Sequence, residues 1–291
     1  MPELPEVETV RTSLIPHLVG SRIITARLRR ADICISYDDS GSTLRPGAHG
    51  LLSGAYITEL SRRGKQLALH AQDGRILIIQ LGMSGRVNAT PIAHPSLRLR
   101  YPPHVHARWI ALSPSGTAVA IDFQDPRRFG GLSEFTSLQS LHSFWWSRLG
   151  PDALNISQSE LCERLMLTFA TSRRTVKAAL LDQAVIAGIG NIYADESLFA
   201  AHISPLRPCD SLTLPEVTLL AAALLQVLTS AVALKGSTLR DYVDANGNAG
   251  AAGEHHAVYG RKGQDCLTCG TPLASELVAQ RTTVCCPTCQ R

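Results

Sequence analysis

The sequence predicts a multidomain α+β protein with a β-rich N-terminal domain, a helical middle domain and a small cysteine-based module at the C-terminus. Three observations carry this. Short apolar runs broken by turn residues fill residues 1–135. Helical spacing with capping signatures takes over across 136–250. Four of the eight cysteines then form two Cys-x-x-Cys pairs within 257–291.

In chain order, Val7, Val10, Leu14 and Leu18 recur at helical spacing, with Glu6 and Glu8 near the start of that helix. Strand-like runs follow at 22–29, 56–61, 66–70, 75–81, 109–112 and 118–123. Asp73-Gly74 and Ser115-Gly116 supply turns between them. Short strands at this spacing predict an antiparallel sandwich or barrel. Ser157-x-x-Glu160 is a capping box ahead of Leu161, Leu165 and Phe169. Two further helices are expected at 174–183 and 191–202, with Gly188 and Gly190 in the turn between them. Thr213-x-x-Glu216, with Pro215 in the first turn, opens a long apolar helix ending near residue 234. Residues 244–256 read as a mobile Gly/Ala/Asn linker.

A hydrophobic content of 45% excludes wholesale disorder, and 291 residues can bury a core without disulfide staples. The net charge of +4 permits a polyanionic partner without requiring one, so attraction to such a partner has to come from a local stripe. The N-terminus lacks the basic-then-apolar run of a secretory signal. Residues 217–234 carry no charge and are about long enough to span a bilayer. Thr218, Gln226, Thr229, Ser230 and the interspersed alanines predict a buried amphipathic helix instead. A soluble, cytoplasmic protein with no membrane partner is expected.

Cys266-x-x-Cys269 and Cys286-x-x-Cys289 are separated by a 16-residue gap, enough for a short hairpin. Each pair presents two thiolates, and two pairs complete the four soft ligands of a tetrahedral, structural Zn²⁺ in a zinc ribbon. Redox use of these pairs fits poorly, because thioredoxin-like motifs sit in a βαβ pattern. Cys285 competes with Cys286 for the register of the second knuckle.

Pro2 follows the initiator methionine. A small second residue permits removal of Met1, which leaves a secondary amine. An α-amino group titrates near ~8, so a substantial neutral, nucleophilic fraction exists at physiological pH. Glu3 and Glu6 stand beside it in sequence, and carboxylates there suit both proton transfer and the positive end of a helix dipole. By itself this terminus would read as an ordinary frayed end.

Seven segments taken together change that reading: MPELPEVETV at the N-terminus, RRGK at 62–65, LGMSG at 81–85, DPRRFG at 125–130, GIGNIYADESLF at 188–199, KGSTLRDY at 235–242, and VYGRKG with the four-cysteine terminus. In collinear order from residue 2 to the last cysteine, they resemble the bacterial formamidopyrimidine-DNA glycosylases. The Leu4 and Val7 form of the first run is more similar to these than to the sibling endonuclease VIII enzymes.

The resemblance implies an N-terminal β-sandwich, a helix–two-turn–helix domain and a zinc ribbon, with damaged double-stranded DNA in the cleft between them. It implies excision of oxidised purines, chiefly 8-oxoguanine and formamidopyrimidines, followed by strand cleavage. Pro2 becomes the nucleophile at C1′, Glu3 the acid/base carboxylate, and Glu6 an orienting group. Lys65 falls on the phosphate beside the lesion. Met83, Arg127 and Phe129 fill the space of an extruded nucleotide, with Arg127 reading the orphaned base. Asn191 binds phosphate at a helix N-terminus, with Lys177 facing the same backbone. Ser237, Leu239 and Arg240 present amides to the everted base, and Arg281 grips phosphate from the ribbon. One zinc ion and a monomer are expected.

The chain departs from the family at several places, among them extra residues around 38–50 and 91–106 that read as surface loops. Gln80 stands where histidine is usual, and AGAAGEHH at 249–256 replaces a stretch that usually carries aromatics. The alternatives are an endonuclease VIII-like enzyme for oxidised pyrimidines and a non-catalytic zinc-ribbon DNA-binding protein.

Overall fold

The computed structural model describes residues 2–96, 100–239 and 242–291. The chain folds as two compact units, one of Met1–Arg148 with Lys235–Gly250, the other of Leu149–Leu234 with Ala251–Arg291.

The first unit opens with α1 (Leu4–Leu18). Ten strands follow: β1 (Arg22–Leu28), β2 (Cys34–Tyr37), β3 (Thr43–Leu44), β4 (Ile57–Arg63), β5 (Gln66–Ala71), β6 (Ile76–Gln80), β7 (Arg86–Ile92), β8 (Val105–Leu112), β9 (Ala118–Gln124) and β10 (Gly131–Phe135). They form a four-stranded sheet in the order β1-β8-β9-β7 and a six-stranded sheet in the order β3-β2-β10-β6-β5-β4. Alternate residues of each sheet share one core, which makes this a sandwich. Ala107, Trp109, Ala111, Val119, Ile121 and Phe123 come from one sheet, and Leu67, Leu69, Leu77, Ile79 and Leu132 from the other. The α1 stripe of Val7, Val10, Leu14 and Leu18 joins the same core. The pairing is not wholly antiparallel as expected, because β10 runs parallel to β2.

After β10, α2 (Leu138–Phe144) stays with this unit. The indole N–H groups of Trp145 and Trp146 both donate to Gln66 Oε1, at 3.0 and 2.9 Å. The 244–256 stretch is bound down rather than free. Asp244 accepts the backbone amides of Asn246 and Asn248, Ala245 N donates to Ser13 Oγ, and Ala89 N donates to Ala245 O at 2.8 Å. These bonds return 235–250 to the sandwich although the chain has already entered the second unit.

The second unit holds α3 (Gln158–Phe169), α4 (Val176–Leu180), α5 (Asn191–Ala200) and α6 (Leu214–Ala233). Both expected capping boxes form. Ser157 with Glu160 starts α3 and Thr213 with Glu216 starts α6. Thr175 caps α4 through its hydroxyl. By length and composition α6 could cross a membrane, with a mean hydropathy of 1.7. Its Val217, Leu220, Ala221, Leu224, Leu228 and Ala231 nevertheless form one buried stripe at helical spacing. The unit ends in the hairpin β11 (Ala274–Val278) and β12 (Arg281–Cys285).

Candidate active site and metal centre

In the first unit, Glu3 is the N-cap of α1 and Pro5 stands in its first turn, where its fixed φ suits the helix. Pro2 and Glu3 are buried. Glu6, only 1% exposed, accepts the Glu3 amide at Oε2 (2.8 Å) and the Ser237 amide at Oε1 (2.7 Å). One carboxylate therefore ties the start of α1 to the 235–239 segment. Gly236 makes this possible: at φ +76° a side chain is strained, and a Cβ would stand 2.8 Å from Glu6 Oε1. The Tyr242 hydroxyl donates to Glu6 O and to Lys235 O, both at 3.2 Å. The amide of Ser237, expected to face an everted base, is thus held by Glu6. Leu239 is exposed, and Arg240 lies outside the described residues.

Lys65 occupies the β4–β5 turn, where Gly64 takes φ +55°. Arg62 joins this turn to α1. Its Nε donates to Glu8 Oε2 and its Nη1 to Gly64 O, each at 3.0 Å. The Glu8 carboxyl is held below its ordinary value, because hydrogen bonds and charge from Arg11 and Arg62 outweigh the opposing effect of its burial.

Met83 and the pair Arg127 and Phe129 project from two loops, β6–β7 and β9–β10. These loops meet backbone to backbone: a Cβ on Gly82 would lie 2.3 Å from Gly130 N. Phe129 is 59% exposed, with the Arg127 guanidinium 4.9 Å from its ring centroid. Exposure of a large ring at a two-loop tip is unlike core packing.

In the second unit, Gly190 caps α5 and Asn191 is its first residue, at the positive end of the helix dipole. The Gln183 side chain braces the preceding turn through Gly188 N and Ile189 O. One Asn191 Nδ2 hydrogen goes to Thr282 O at 2.9 Å, and the second donor remains. Arg281, exposed, is the residue before Thr282. It leaves a two-residue turn in which Ala279 and Gln280 both take positive φ, +48° and +59°.

The structure corrects the expectation for Lys177. Its side chain is 0% exposed, with Nζ 2.7 Å from Asp195 Oδ1 and 2.7 Å from Thr283 Oγ1. A lysine committed in this way cannot reach a phosphate; it supports the hairpin from beneath. Asp195 also accepts Val284 N at 3.2 Å. Burial pushes its carboxyl up to about 6 despite the pull of Lys177. Next along α5, Glu196 accepts the amides of Ala257, Val258 and Tyr259 at 2.7–2.9 Å. Sequence reasoning missed both carboxylates, although their adjacency inside an otherwise apolar helix was a signal.

Cys266, Cys269, Cys286 and Cys289 bring their four Sγ atoms within 4.8 Å of one another. Cys285 lies outside this group, which settles the register in favour of Cys286. Cys289 N donates to Cys286 Sγ at 3.3 Å, as knuckle geometry requires. The thiols share hydrogen bonds: contacts with Thr271 draw Cys269 down to about 6, while the neighbouring thiols push Cys289 up to about 12. Four soft donors in a closed cluster fit a metal ion.

The family model for the formamidopyrimidine-DNA glycosylase N-terminal domain matches residues 1–132, and that for the H2TH domain of the same enzymes matches 149–243. The formamidopyrimidine-DNA glycosylases of Phenylobacterium zucineum and Laribacter hongkongensis are each 39% identical to the chain, with full coverage of both sequences. The chain belongs to the formamidopyrimidine-DNA glycosylase family. Among solved members, the Thermus thermophilus MutM (Fpg) structure superposes with a TM-score of 0.83 at 37% identity, covering 99% of this chain and 98% of its own. A Lactococcus lactis Fpg complex with abasic-site DNA gives 0.83 at 30% identity and 99% coverage of each. The formamidopyrimidine-DNA glycosylase fold accounts for the sandwich, the helical core and the cysteine hairpin found here.

Proposed function

We propose that the chain is a base-excision repair glycosylase and abasic-site lyase that removes oxidised purines from duplex DNA and cleaves the strand. The observation that carries this reading is the buried start of α1, Pro2-Glu3, bonded through Glu6 to the Ser237 loop in a chain of this family.

While Met1 is attached, the Pro2 nitrogen is a tertiary amide without a nucleophilic lone pair; once Met1 is removed it is a secondary amine. That nitrogen attacks C1′, and the damaged base leaves with its bonding electrons. Glu3 serves proton transfer at the sugar oxygen as the ring opens. The resulting iminium withdraws electrons, so the C2′ proton is lost and the 3′-phosphate departs. A second elimination releases the 5′-phosphate. Lys65, one Asn191 donor and Arg281 hold backbone phosphates. Met83 and Phe129 replace lost stacking, and Arg127 donates to the orphaned base. The four-cysteine cluster holds a structural zinc that fixes the hairpin carrying Arg281. The reading includes a monomer acting on chromosomal DNA in a bacterial cytoplasm, without a membrane partner.

Single-turnover cleavage of duplexes carrying 8-oxoguanine, formamidopyrimidine or an oxidised pyrimidine tests this. The oxidised purines are expected to react at least about tenfold faster, a barrier difference near 1.4 kcal/mol. Preference for the pyrimidine lesion would favour the endonuclease VIII-like alternative. Binding without cleavage would favour a non-catalytic protein.

A further inference from the structure

Asp125, the residue after β9, is only 1% exposed although it carries a carboxylate. Burying a carboxylate is costly unless donors surround it. Its donors come from the two loops that bear Met83, Arg127 and Phe129. Oδ1 accepts the Ser84 hydroxyl at 2.6 Å and the Arg127 amide at 3.2 Å, and Oδ2 accepts the Gly130 amide at 2.7 Å. Ser84 Oγ also accepts the Arg127 amide, at 3.2 Å. The loops leave no slack around this knot. A Cβ on Gly130 would meet Gln80 O at 2.5 Å, and one on Gly85 would meet Leu81 O at 2.1 Å. Arg128, between the two tip residues, is held at φ +59°, a conformation that L side chains rarely adopt.

We infer that Asp125 and Ser84 are a positioning pair that assembles the DNA-inserting tip before DNA arrives. Without them, two separate loops would have to be ordered during base extrusion, and the entropy of that ordering would slow the step and loosen its geometry. With them, Met83, Arg127 and Phe129 meet the duplex as one preformed wedge, and the Arg127 donors face the orphaned base in one orientation. The pair therefore governs extrusion and discrimination between opposing bases, while the chemistry at Pro2 stays independent of it. This rests on the reading that the three tip residues enter the duplex.

The test compares wild type with Asp125→Asn, Ser84→Ala and the control Phe129→Ala. Asp125→Asn turns an NH₂ donor toward the Gly130 or Arg127 amide, and Ser84→Ala removes one donor without altering charge. Single-turnover excision is followed opposite cytosine and opposite adenine, beside strand cleavage at a preformed abasic site, which has no base to extract. A 2-aminopurine next to the lesion reports insertion. For Asp125→Asn the expected result is an insertion phase and excision slowed about tenfold or more, narrowed cytosine-over-adenine discrimination, and abasic cleavage within about threefold of wild type. Ser84→Ala shifts the same readouts less. Equal losses on lesion and abasic substrates, or wild-type insertion and discrimination in either variant, would overturn the inference. If Phe129→Ala leaves the 2-aminopurine phase unchanged, the insertion reading fails and the inference with it, whatever Asp125→Asn does. If Asp125→Asn does not fold, Ser84→Ala decides alone.

Discussion

Lys177 and Asp195 show how a residue's type can be legible while its direction is not. A lysine near a helix N-terminus reads naturally as a phosphate ligand. Only the fold reveals that its ammonium is enclosed with Asp195 and Thr283. Removing one partner of such a pair leaves an uncompensated buried charge, so Lys177→Met is expected to cost about 3–5 kcal/mol in denaturant unfolding. The cost depends on pH. The folded Asp195 carboxyl already sits near 6, above its unfolded value, so the folded state holds the extra proton and wild-type stability falls as pH rises from about 4 to about 6. Without Lys177 that carboxyl rises further, and the mutant gains from acidification above the pH where wild type does. The destabilisation should therefore be larger at pH 8 than at pH 6; a constant difference would argue against the pair. By contrast, the four cysteines were legible from their spacing alone, whereas Pro2, Glu3, Lys65 and Phe129 stood out only through the family resemblance of the segments that hold them.

Among the elements, the long periodic ones were legible and the short or interrupted ones were not. Helix α1 and strands β1, β4–β6, β8 and β9 stand where apolar alternation or helical spacing is clear. Strand β7 contains Asn88, Thr90 and Pro91, and β10 opens on Gly131, so neither carries an apolar run. The ladder with β9, and that between β6 and β2, supplies what their composition lacks. The β11–β12 turn puts two non-glycine residues at positive φ. Gln280→Gly should relieve about 1 kcal/mol of strain and raise the melting temperature while leaving Arg281 in place. Unchanged or lowered stability would show that the turn carries no strain of this kind. Arg281→Ala, at the same hairpin, should weaken DNA binding across all sequences and reduce the salt slope of log K by about one. A fall in affinity with the slope intact would remove Arg281 from the phosphates.

At the scale of the whole molecule, the chain-order reading of three successive domains meets a structure of two discontinuous units, because 235–250 returns to the sandwich and the ribbon packs with the helices. No local signal announces such a crossing; it comes from long-range bonds such as Ala89 to Ala245 and Ser237 to Glu6. A net charge of +4 leaves DNA affinity to local contacts. The metal cluster also has to act through the whole helical unit. Its hairpin is pinned to α5 by Asp195 and the 257–259 segment that leads into it by Glu196, and Arg291 N is pinned to His202 O. Verified metal removal should unfold the ribbon and abolish duplex binding measured by fluorescence anisotropy. Full binding by metal-free protein would leave the cluster without that role. The proposed chemistry rests on one amine at the head of α1, and borohydride trapping on an 8-oxoguanine:cytosine duplex with peptide mapping reads it directly. A reduced adduct on the Pro2 nitrogen is expected, and it should disappear in Pro2→Gly. An adduct on a lysine, or trapping undiminished by that substitution, would contradict it.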